Sequence, residues 1–325
     1  MKKIRWGIVG PGNIAARFAQ AVKNVNCAEL VAVASREPDR AAAFAETFDI
    51  PHVFCGYESM AQADLVDAIY IATPHPFHMP CAQLFLNAGK HVLCEKPMCV
   101  NARQAQELKE CAEKNGVFLM EAMWTRFLPA ILEAKAIVDR GEIGEIMGIE
   151  ADFCYRTEWG TVPRLFLPEL AGGGLLDVGT YCLHFAAIFL GSAPETILAL
   201  GHTEKGVDVH TNILLKYQNG AIANLTASIG VTKPETAYIY GTRGHICLPH
   251  FYGATELLVH TDMGATKITK DWLGNGFEEE IIEVCRCIQA GKLQSDTMSL
   301  DESITILKQM DEVRAQIGIR YPFEA

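Results

Sequence analysis

The sequence predicts an α/β fold in which an N-terminal doubly wound parallel sheet is followed by an α+β domain with a large, mostly antiparallel open sheet. From residue 3 to about residue 121, apolar strand-like runs alternate with helical patterns, which is typical of a parallel sheet. Strand-like runs with short connections follow, which are typical of hairpins. We place the domain boundary between residues 122 and 123. Two late helices, Glu278–Gln289 and Asp301–Ile317, could pack back on the first domain.

The elements of the first domain follow from apolar patterning and from the residues that start and end helices. Strands are predicted where apolar and β-branched residues cluster, at Ile4–Val9, Glu29–Ala34, Val53–Phe54, Leu65–Ala72, His91–Cys94 and Val117–Glu121. Helices are predicted at Arg17–Val25, Pro38–Phe48, Phe77–Asn87 and Asn101–Lys114. Pro38 suits a helix start, Asn101 suits a cap and Gly89 suits a helix end.

The second domain begins with a predicted helix at Leu128–Asp139. Its predicted strands are Ile146–Phe153, Thr196–His202, Asn212–Tyr217, Ala221–Ser228, Ala237–Gly241, His245–Leu248, Glu256–His260 and Ala265–Thr269. The longest apolar stretch, Gly173–Gly191, contains Asp177 and His184. We interpret it as a core helix and its approach, and not as a membrane span.

Composition limits the classes of function. The chain has 325 residues and a net charge of −11, which argues against a nucleic-acid partner because such a partner requires a basic stripe. Most of the eleven cysteines lie in apolar runs, which favours reduced thiols in a cytoplasmic protein over disulfides. No basic-then-apolar leader is visible, and no cluster of potential ligands predicts a metal site.

The first strand runs directly into a glycine-rich turn, Gly10-Pro11-Gly12-Asn13-Ile14-Ala15. Gly10 permits the tight turn, and Gly12 has no side chain to keep a pyrophosphate from the backbone. The N–H groups at the start of the following helix, with Asn13 and Ile14, would then face the phosphates. A strand before the turn and a helix after it favour a dinucleotide site over a structural turn.

The end of the second strand predicts which dinucleotide binds. A site for NAD usually has an acidic residue there, to bond the ribose 2′-hydroxyl. This chain has Ser35 and Arg36 instead, with Arg40 one helical turn further on. A guanidinium suits a 2′-phosphate, so we predict NADP(H) over NAD(H). The alternative is that Arg36 is only a solvated surface charge.

Two further motifs predict proton-transfer chemistry. Glu95-Lys96-Pro97 ends a predicted strand, where Lys96 would lie near a nicotinamide, and Pro97 fixes the turn and could be cis. The alternative is that Lys96 is a surface residue beside a turn. Asp177 and Tyr181 follow a triple-glycine run and are four residues apart, which places them on one face of an α-helix. A carboxylate and a phenol together can orient a hydroxyl and transfer its proton. For His184 we favour a core role.

At these motifs the chain resembles the glucose-fructose oxidoreductase and inositol dehydrogenase family, over essentially its whole length. The stretch Glu121–Phe127 resembles the branch of dimeric dihydrodiol dehydrogenases, which also oxidise some pentoses, and Gly206-Val207-Asp208 and Tyr240–Gly244 fit that branch. The resemblance implies an N-terminal Rossmann domain and a C-terminal sheet that forms a homodimer or a higher homo-oligomer. It implies catalysis by Lys96 paired with Tyr181.

The resemblance also implies roles for residues around these motifs. Asp177 would position the substrate. The residues lining the cofactor cleft would be Thr73, Pro74 and His78, with Glu95 beside Lys96, and Arg164 would reach the cofactor.

Aromatic side chains are the predicted walls of the substrate pocket. Trp124, Phe153 and Tyr155 could present flat apolar faces to the carbon face of a sugar ring or a cyclic diol. The alternative is plain core packing.

These observations predict a cytoplasmic NADP(H)-dependent oxidoreductase that transfers hydride between the nicotinamide and a secondary alcohol or carbonyl of a sugar, polyol or cyclic trans-diol. Tyr181 would take or give the hydroxyl proton. One alternative is a non-catalytic NADP-binding sensor or scaffold on the same fold. Another is the reduction of a tetrapyrrole or other metabolite. A membrane or nucleic-acid partner is not expected.

Overall fold

The computed structural model describes residues 3–324, and these residues form two compact units. The first contains the described residues up to Cys99 together with Arg103–Trp124 and Leu273–Ile304. The second contains Val100–Ala102, Thr125–Trp272 and the described residues from Thr305 onward.

The first unit contains a six-stranded parallel sheet in the order β3-β2-β1-β4-β5-β6. Its strands are β1 Ile4–Val9, β2 Ala28–Ser35, β3 His52–Cys55, β4 Ala68–Ile71, β5 His91–Glu95 and β6 Leu119–Ala122. Its helices are α1 Asn13–Val22, α2 Pro38–Phe48, α3 Glu58–Ala61, α4 His78–Asn87 and, later in the chain, α9 Glu278–Gln289. The predicted doubly wound parallel sheet is confirmed.

Helix α5, Ala102–Asn115, and helix α10, Leu300–Ile317, each have residues in both units. Within the first unit, α9 contacts α1. There the Asn24 side chain donates a hydrogen bond to Glu278 Oε1 at 2.8 Å, and Arg17 Nη2 donates to the carbonyl of Asn275 at 3.0 Å.

The second unit contains an eight-stranded sheet in the order β14-β13-β12-β11-β7-β10-β9-β8. Every neighbouring pair is antiparallel except β7 and β10, so the prediction of a mostly antiparallel sheet is confirmed. Its strands are β7 Ile146–Cys154, β8 Thr196–Glu204, β9 Val207–Lys216, β10 Ile222–Ser228, β11 Ala237–Gly241, β12 Gly244–Leu248, β13 Glu256–Thr261 and β14 Gly264–Thr269. Its helices are α6 Pro129–Asp139, α7 Pro163–Phe166 and α8 Thr180–Leu190.

One face of this sheet forms core and the other is exposed. On β9, Ile213 and Leu215 are buried, whereas Leu214 between them is 44% exposed. Because side chains alternate across a strand, this pattern separates an apolar inner face from an outer face. The outer face nevertheless carries large apolar side chains, among them Leu198 and Leu200, which are 59% and 82% exposed.

The longest apolar stretch and the cysteines are mostly buried in this fold. The stretch Pro168–Leu190 is long and apolar enough to cross a membrane by length and composition, but 83% of its most apolar window is buried inside the protein, as in a core helix. All eleven cysteines lie within residues 3–324 and all are free thiols; Cys55 is exposed, Cys27 is half-buried and the other nine are buried.

Gly10 and Gly12 have different structural requirements. Gly10 has a φ of +82°, and a Cβ there would lie 2.9 Å from the backbone of Ala72 and Thr73. Gly12 is extended, with a φ of −135°, and a Cβ there would meet Arg40 only at 3.6 Å. The turn therefore needs glycine at Gly10, whereas the folded chain tolerates a side chain at Gly12.

We predict that Gly10→Ala lowers the free energy of unfolding by about 1–3 kcal/mol, because it adds both left-handed strain and a backbone clash. Gly12→Ala, the matched control, should leave the melting temperature nearly unchanged. Thermal unfolding followed by circular dichroism, without added nucleotide, measures both. Equal melting temperatures for the two variants would contradict this account of the turn.

Candidate active site

The glycine-rich turn lies at the carboxyl edge of the parallel sheet, where the strand order reverses. Gly10 follows β1 and Thr73 follows β4, and chain connections leave these two neighbouring strands in opposite directions. Such a switch point is where open α/β sheets bind ligands. Gly12 is the N-cap residue of α1. In the described part of the chain, no side-chain hydrogen bond caps the helix there. The first N–H groups of the helix and the helix dipole suit an anion.

Positively charged side chains lie at the same edge. Arg40 donates from Nε to the carbonyl of Pro11 at 2.8 Å, which fixes its guanidinium over the turn. Arg36, exposed at the end of β2, lies over the ring of Phe77 with 5.0 Å to the ring centre. Ser35 is buried, and its hydroxyl accepts a hydrogen bond from the backbone N–H of Glu37 at 3.1 Å. The open backbone and the guanidinium groups suit the phosphate groups of a dinucleotide.

His78 connects the ends of two strands. Its Nδ1 lies 2.9 Å from the carbonyl oxygen of Pro97 and its Nε2 lies 2.7 Å from that of Thr73. Burial lowers the pKa of His78, and the hydrogen bonds to both carbonyls oppose that shift. The imidazole therefore holds the loop that contains Thr73 and Pro74 against the turn that follows Lys96, where the Lys96–Pro97 peptide bond is cis.

Glu95 directly precedes the predicted catalytic lysine, Lys96. Its side chain is 7% exposed, accepts a hydrogen bond from the Tyr70 hydroxyl, and accepts another from the backbone N–H of Lys96 at 3.2 Å. Burial raises the pKa of Glu95, and the positive charge of Lys96 opposes that shift. The Glu95 carboxyl thus anchors the backbone at the point where the chain leaves β5, and Lys96 itself is half-buried.

In the second unit, Asp177 is bonded at both carboxylate oxygens. Arg164 Nη1 donates to Oδ1 at 2.8 Å, and the Tyr155 hydroxyl donates to Oδ2 at 2.6 Å. Asp177 is 5% exposed, whereas the Arg164 side chain is 45% exposed. Asp177 therefore has a fixed orientation. The sequence did not indicate the Arg164–Asp177 pair; a contact between Arg164 and the cofactor stays a prediction.

The backbone that carries Asp177 is not the α-helix that the spacing predicted. Leu175–Gly179 forms a π-helical turn, and α8 begins only at Thr180. A π turn bonds residues five apart, so Asp177 and Tyr181 are not an ordinary i, i+4 pair. Such turns are often found at functional sites.

Tyr181 lies in an aromatic cluster within the second unit. Its ring centre is 5.3 Å from that of Phe153 and 6.1 Å from that of Tyr252. Phe153 and Tyr252 are stacked with their centres 4.1 Å apart.

Burial, followed by the charge of Asp177, raises the pKa of Tyr155 well above its usual value, so Tyr155 keeps its proton and acts as a donor. Tyr252 was missed from the sequence; the aromatic pair Phe251-Tyr252 in a short loop was the available signal.

Two other predicted residues have local partners. Trp124 belongs to the first unit, where its ring stacks on Phe277 at 5.4 Å and the Arg17 guanidinium lies 5.1 Å from its centre. A substrate role for Trp124 therefore stays a prediction. His184 is 1% exposed, and its Nδ1 accepts a hydrogen bond from Arg126 Nε at 3.4 Å, as suits a core residue.

The described residues contain no group of three or more His, Cys, Asp or Glu side chains arranged to hold a metal ion.

Comparison with known proteins identifies the family. Residues 4–123 match the family model described as "Oxidoreductase family, NAD-binding Rossmann fold", and residues 131–247 match "GFO/IDH/MocA C-terminal domain". The trans-1,2-dihydrobenzene-1,2-diol dehydrogenase of Mus musculus is 38% identical over 98% of each chain, and that of Homo sapiens is 37% identical over 98% of each. The resemblance inferred from the motifs is confirmed.

A solved structure of similar fold is KijD10, a 3-ketoreductase from Actinomadura kijaniata in complex with NADP and TDP-benzene. It has a TM-score of 0.89 and 28% identity, over 97% of this chain and 98% of that chain. The aldose-aldose oxidoreductase of Caulobacter crescentus, at 23% identity and a TM-score of 0.89, shares the fold over 97% of each chain. The chain is a member of the GFO/IDH/MocA family of oxidoreductases.

Proposed function

We propose that the protein is an NADP(H)-dependent oxidoreductase that interconverts a secondary alcohol and a carbonyl on a sugar, polyol or cyclic trans-diol. The observation that supports it most is the Asp177 carboxylate, held by Arg164 and Tyr155 in the same unit as the Tyr181 phenol. The similarity to dihydrodiol dehydrogenases and to an NADP-bound ketoreductase supports the same class of reaction.

The proposed roles follow from the chemistry of each side chain. When bound, the nicotinamide ring of NADP(H) accepts or supplies the hydride. Tyr181 takes the proton of the substrate hydroxyl during oxidation and returns it during reduction. Lys96, as a cation, stabilises the phenolate form of Tyr181. Asp177 retains lone pairs on both oxygens after bonding Arg164 and Tyr155, and accepts a hydrogen bond from the substrate.

The aromatic cluster supports a ring-shaped substrate. Phe153 and Tyr252 present stacked rings beside Tyr181, and Tyr155 lies 6.3 Å from Phe153 between ring centres. Such surfaces contact the carbon face of a sugar ring or a cyclic diol, while a few polar groups fix its hydroxyls.

We predict that Lys96→Met and Tyr181→Phe each lower kcat at least about 100-fold, because each removes a group that acts in proton transfer. The affinity for NADP⁺, measured by fluorescence titration, should change little. The assay is a panel of sugars, polyols and cyclic trans-diols with NADP⁺, followed at the NADPH absorbance. Lys114→Met and Tyr217→Phe, outside the candidate site, are the controls. Full activity in Tyr181→Phe would remove the assigned role, and intact NADP⁺ binding without turnover of any compound would favour a non-catalytic protein.

We also propose that Arg36 and Arg40 select NADP(H) over NAD(H). Arg36→Asp should raise the Kd for NADP⁺ at least about tenfold. It replaces a guanidinium that would bind the 2′-phosphate with a negative charge that repels it. The Kd for NAD⁺ should change much less, since NAD⁺ lacks the 2′-phosphate. Arg103→Asp on α5 is the control, and calorimetric titration measures both affinities for wild type and for each variant. An unchanged ratio of the two Kd values in Arg36→Asp would refute this selection.

The outer face of the eight-stranded sheet is the surface on which we propose homodimer formation. Paired positions on neighbouring strands place Leu198, Leu200, Leu214 and Ile222 on this one face, and each is at least 44% exposed. Exposed apolar side chains grouped on one face mark an interaction surface.

Leu200→Asp should convert the dimer to a monomer, because it places a charge within the proposed apolar interface. Sedimentation velocity at micromolar concentration measures the change. Met263→Asp, at an exposed turn between β13 and β14, should leave the dimer intact. A monomeric wild-type protein under these conditions would exclude the proposed interface.

A further inference from the structure

Asp208 is a fully buried carboxyl at the start of β9, outside the site described above. Its Oδ2 accepts a hydrogen bond from the backbone N–H of Leu175 at 2.7 Å and another from the hydroxyl of Thr211 at 3.2 Å. The backbone N–H of Gly174 also stabilises it. Asp208 therefore meets the first N–H groups of the π turn Leu175–Gly179.

The backbone before the π turn is fitted closely around this carboxyl. Gly173 has a φ of +117°, and a Cβ there would lie 2.1 Å from Asp208 Oδ1. The backbone N–H of Gly173 donates to the carbonyl of Leu165 at 2.9 Å, and the Tyr321 hydroxyl donates to the carbonyl of Gly172 at 3.0 Å. The same short segment is thus fixed from three sides before it enters the turn that carries Asp177.

We propose that Asp208 is a positioning residue for catalysis: by bonding the N–H groups that begin the π turn, it sets where Asp177 and Tyr181 lie. This inference rests on the proposed function, because it assigns a role in that reaction. Asp208 itself contacts neither the Asp177 carboxylate nor the Tyr181 ring through any of the hydrogen bonds described, and it acts through the backbone. Small displacements of such groups can cost about 100-fold in rate.

The charge of Asp208 makes this arrangement sensitive to pH. Burial raises the pKa of Asp208 to about 7, opposed by the hydrogen bonds from Leu175 and Thr211. The groups that face it are Thr211 on β9, the N–H groups of the π turn, and Tyr321, behind which the Arg314 guanidinium lies 5.0 Å from the ring centre. A carboxylate accepts these bonds more strongly than a carboxylic acid does, so the turn is held best above about pH 7.

Stability and activity should therefore respond to pH in opposite directions. The pKa of Asp208 is higher in the folded chain than in the unfolded one, so its stabilising contribution is complete below the unfolded value of about 3.9 and is lost as pH rises through about 7. Ionised Asp208 thus costs stability, whereas its hydrogen bonds to the turn are strongest in that form.

The test compares wild type, Asp208→Asn and Thr211→Val. In wild type, kcat should fall on the acid side with an inflection near pH 7. Asp208→Asn should bind NADP⁺ normally, lower kcat at pH 8 about 10- to 100-fold and lose that inflection. Thr211→Val keeps the charge but removes a donor that lowers the pKa of Asp208, so its inflection should move to higher pH. It serves as the second variant if Asp208→Asn does not fold. Asp262→Asn, in an exposed turn, is the control.

Hydrogen–deuterium exchange of the segment 173–181 adds a measurement that does not need activity. Exchange there should increase in Asp208→Asn and remain unchanged in Asp262→Asn. Wild-type kcat and pH profile in Asp208→Asn, or unchanged exchange in this segment, would overturn the assignment. If wild type turns over none of the panel compounds, the proposed function fails, and the exchange measurement alone then decides whether Asp208 holds the turn.

Discussion

The second unit depends on one constraint, which is that the Asp177 carboxylate is buried and must be bonded at both oxygens. A buried carboxylate without partners would cost several kcal/mol. Here one donor comes from Tyr155, directly after β7, and the other from Arg164 on α7. The Asp177 side chain therefore joins the π turn that carries it to the end of a central strand and to a short helix.

The segment around the short helix α7 and the glycine run before the π turn are also joined through the backbone. The carbonyl of Leu165, next to Arg164, accepts a hydrogen bond from Gly173, and the carbonyl of Leu167 accepts one from Gly172 at 3.1 Å. A Cβ at Gly172 would lie 2.5 Å from the Leu165 carbonyl oxygen. The glycine run is thus required by close backbone contact within the protein.

Sequence patterning predicted the features that depend on neighbouring residues. Pro38–Phe48 and Glu278–Gln289 are helices with the predicted bounds, and the parallel sheet was evident from its alternating apolar runs. Helix α1 begins at Asn13, four residues before the predicted start, because the chain turns into the helix directly after Gly12. The π turn was not predictable, since its first N–H group is bonded by Asp208, 33 residues away. The stacking of Tyr252 on Phe153 also joins residues that are distant in the sequence, so only the folded structure reveals it.

The distribution of cysteines has a practical consequence for spectroscopy. Ten of the eleven thiols are buried or half-buried, and burial raises the pKa of those at Cys94, Cys99 and Cys182 well above the usual value. Because thiol-modifying dyes react with accessible thiolates, Cys55 on β3 is a natural attachment point for one fluorophore. The native chain can therefore be given a single optical reporter without first removing its other sulfhydryl groups.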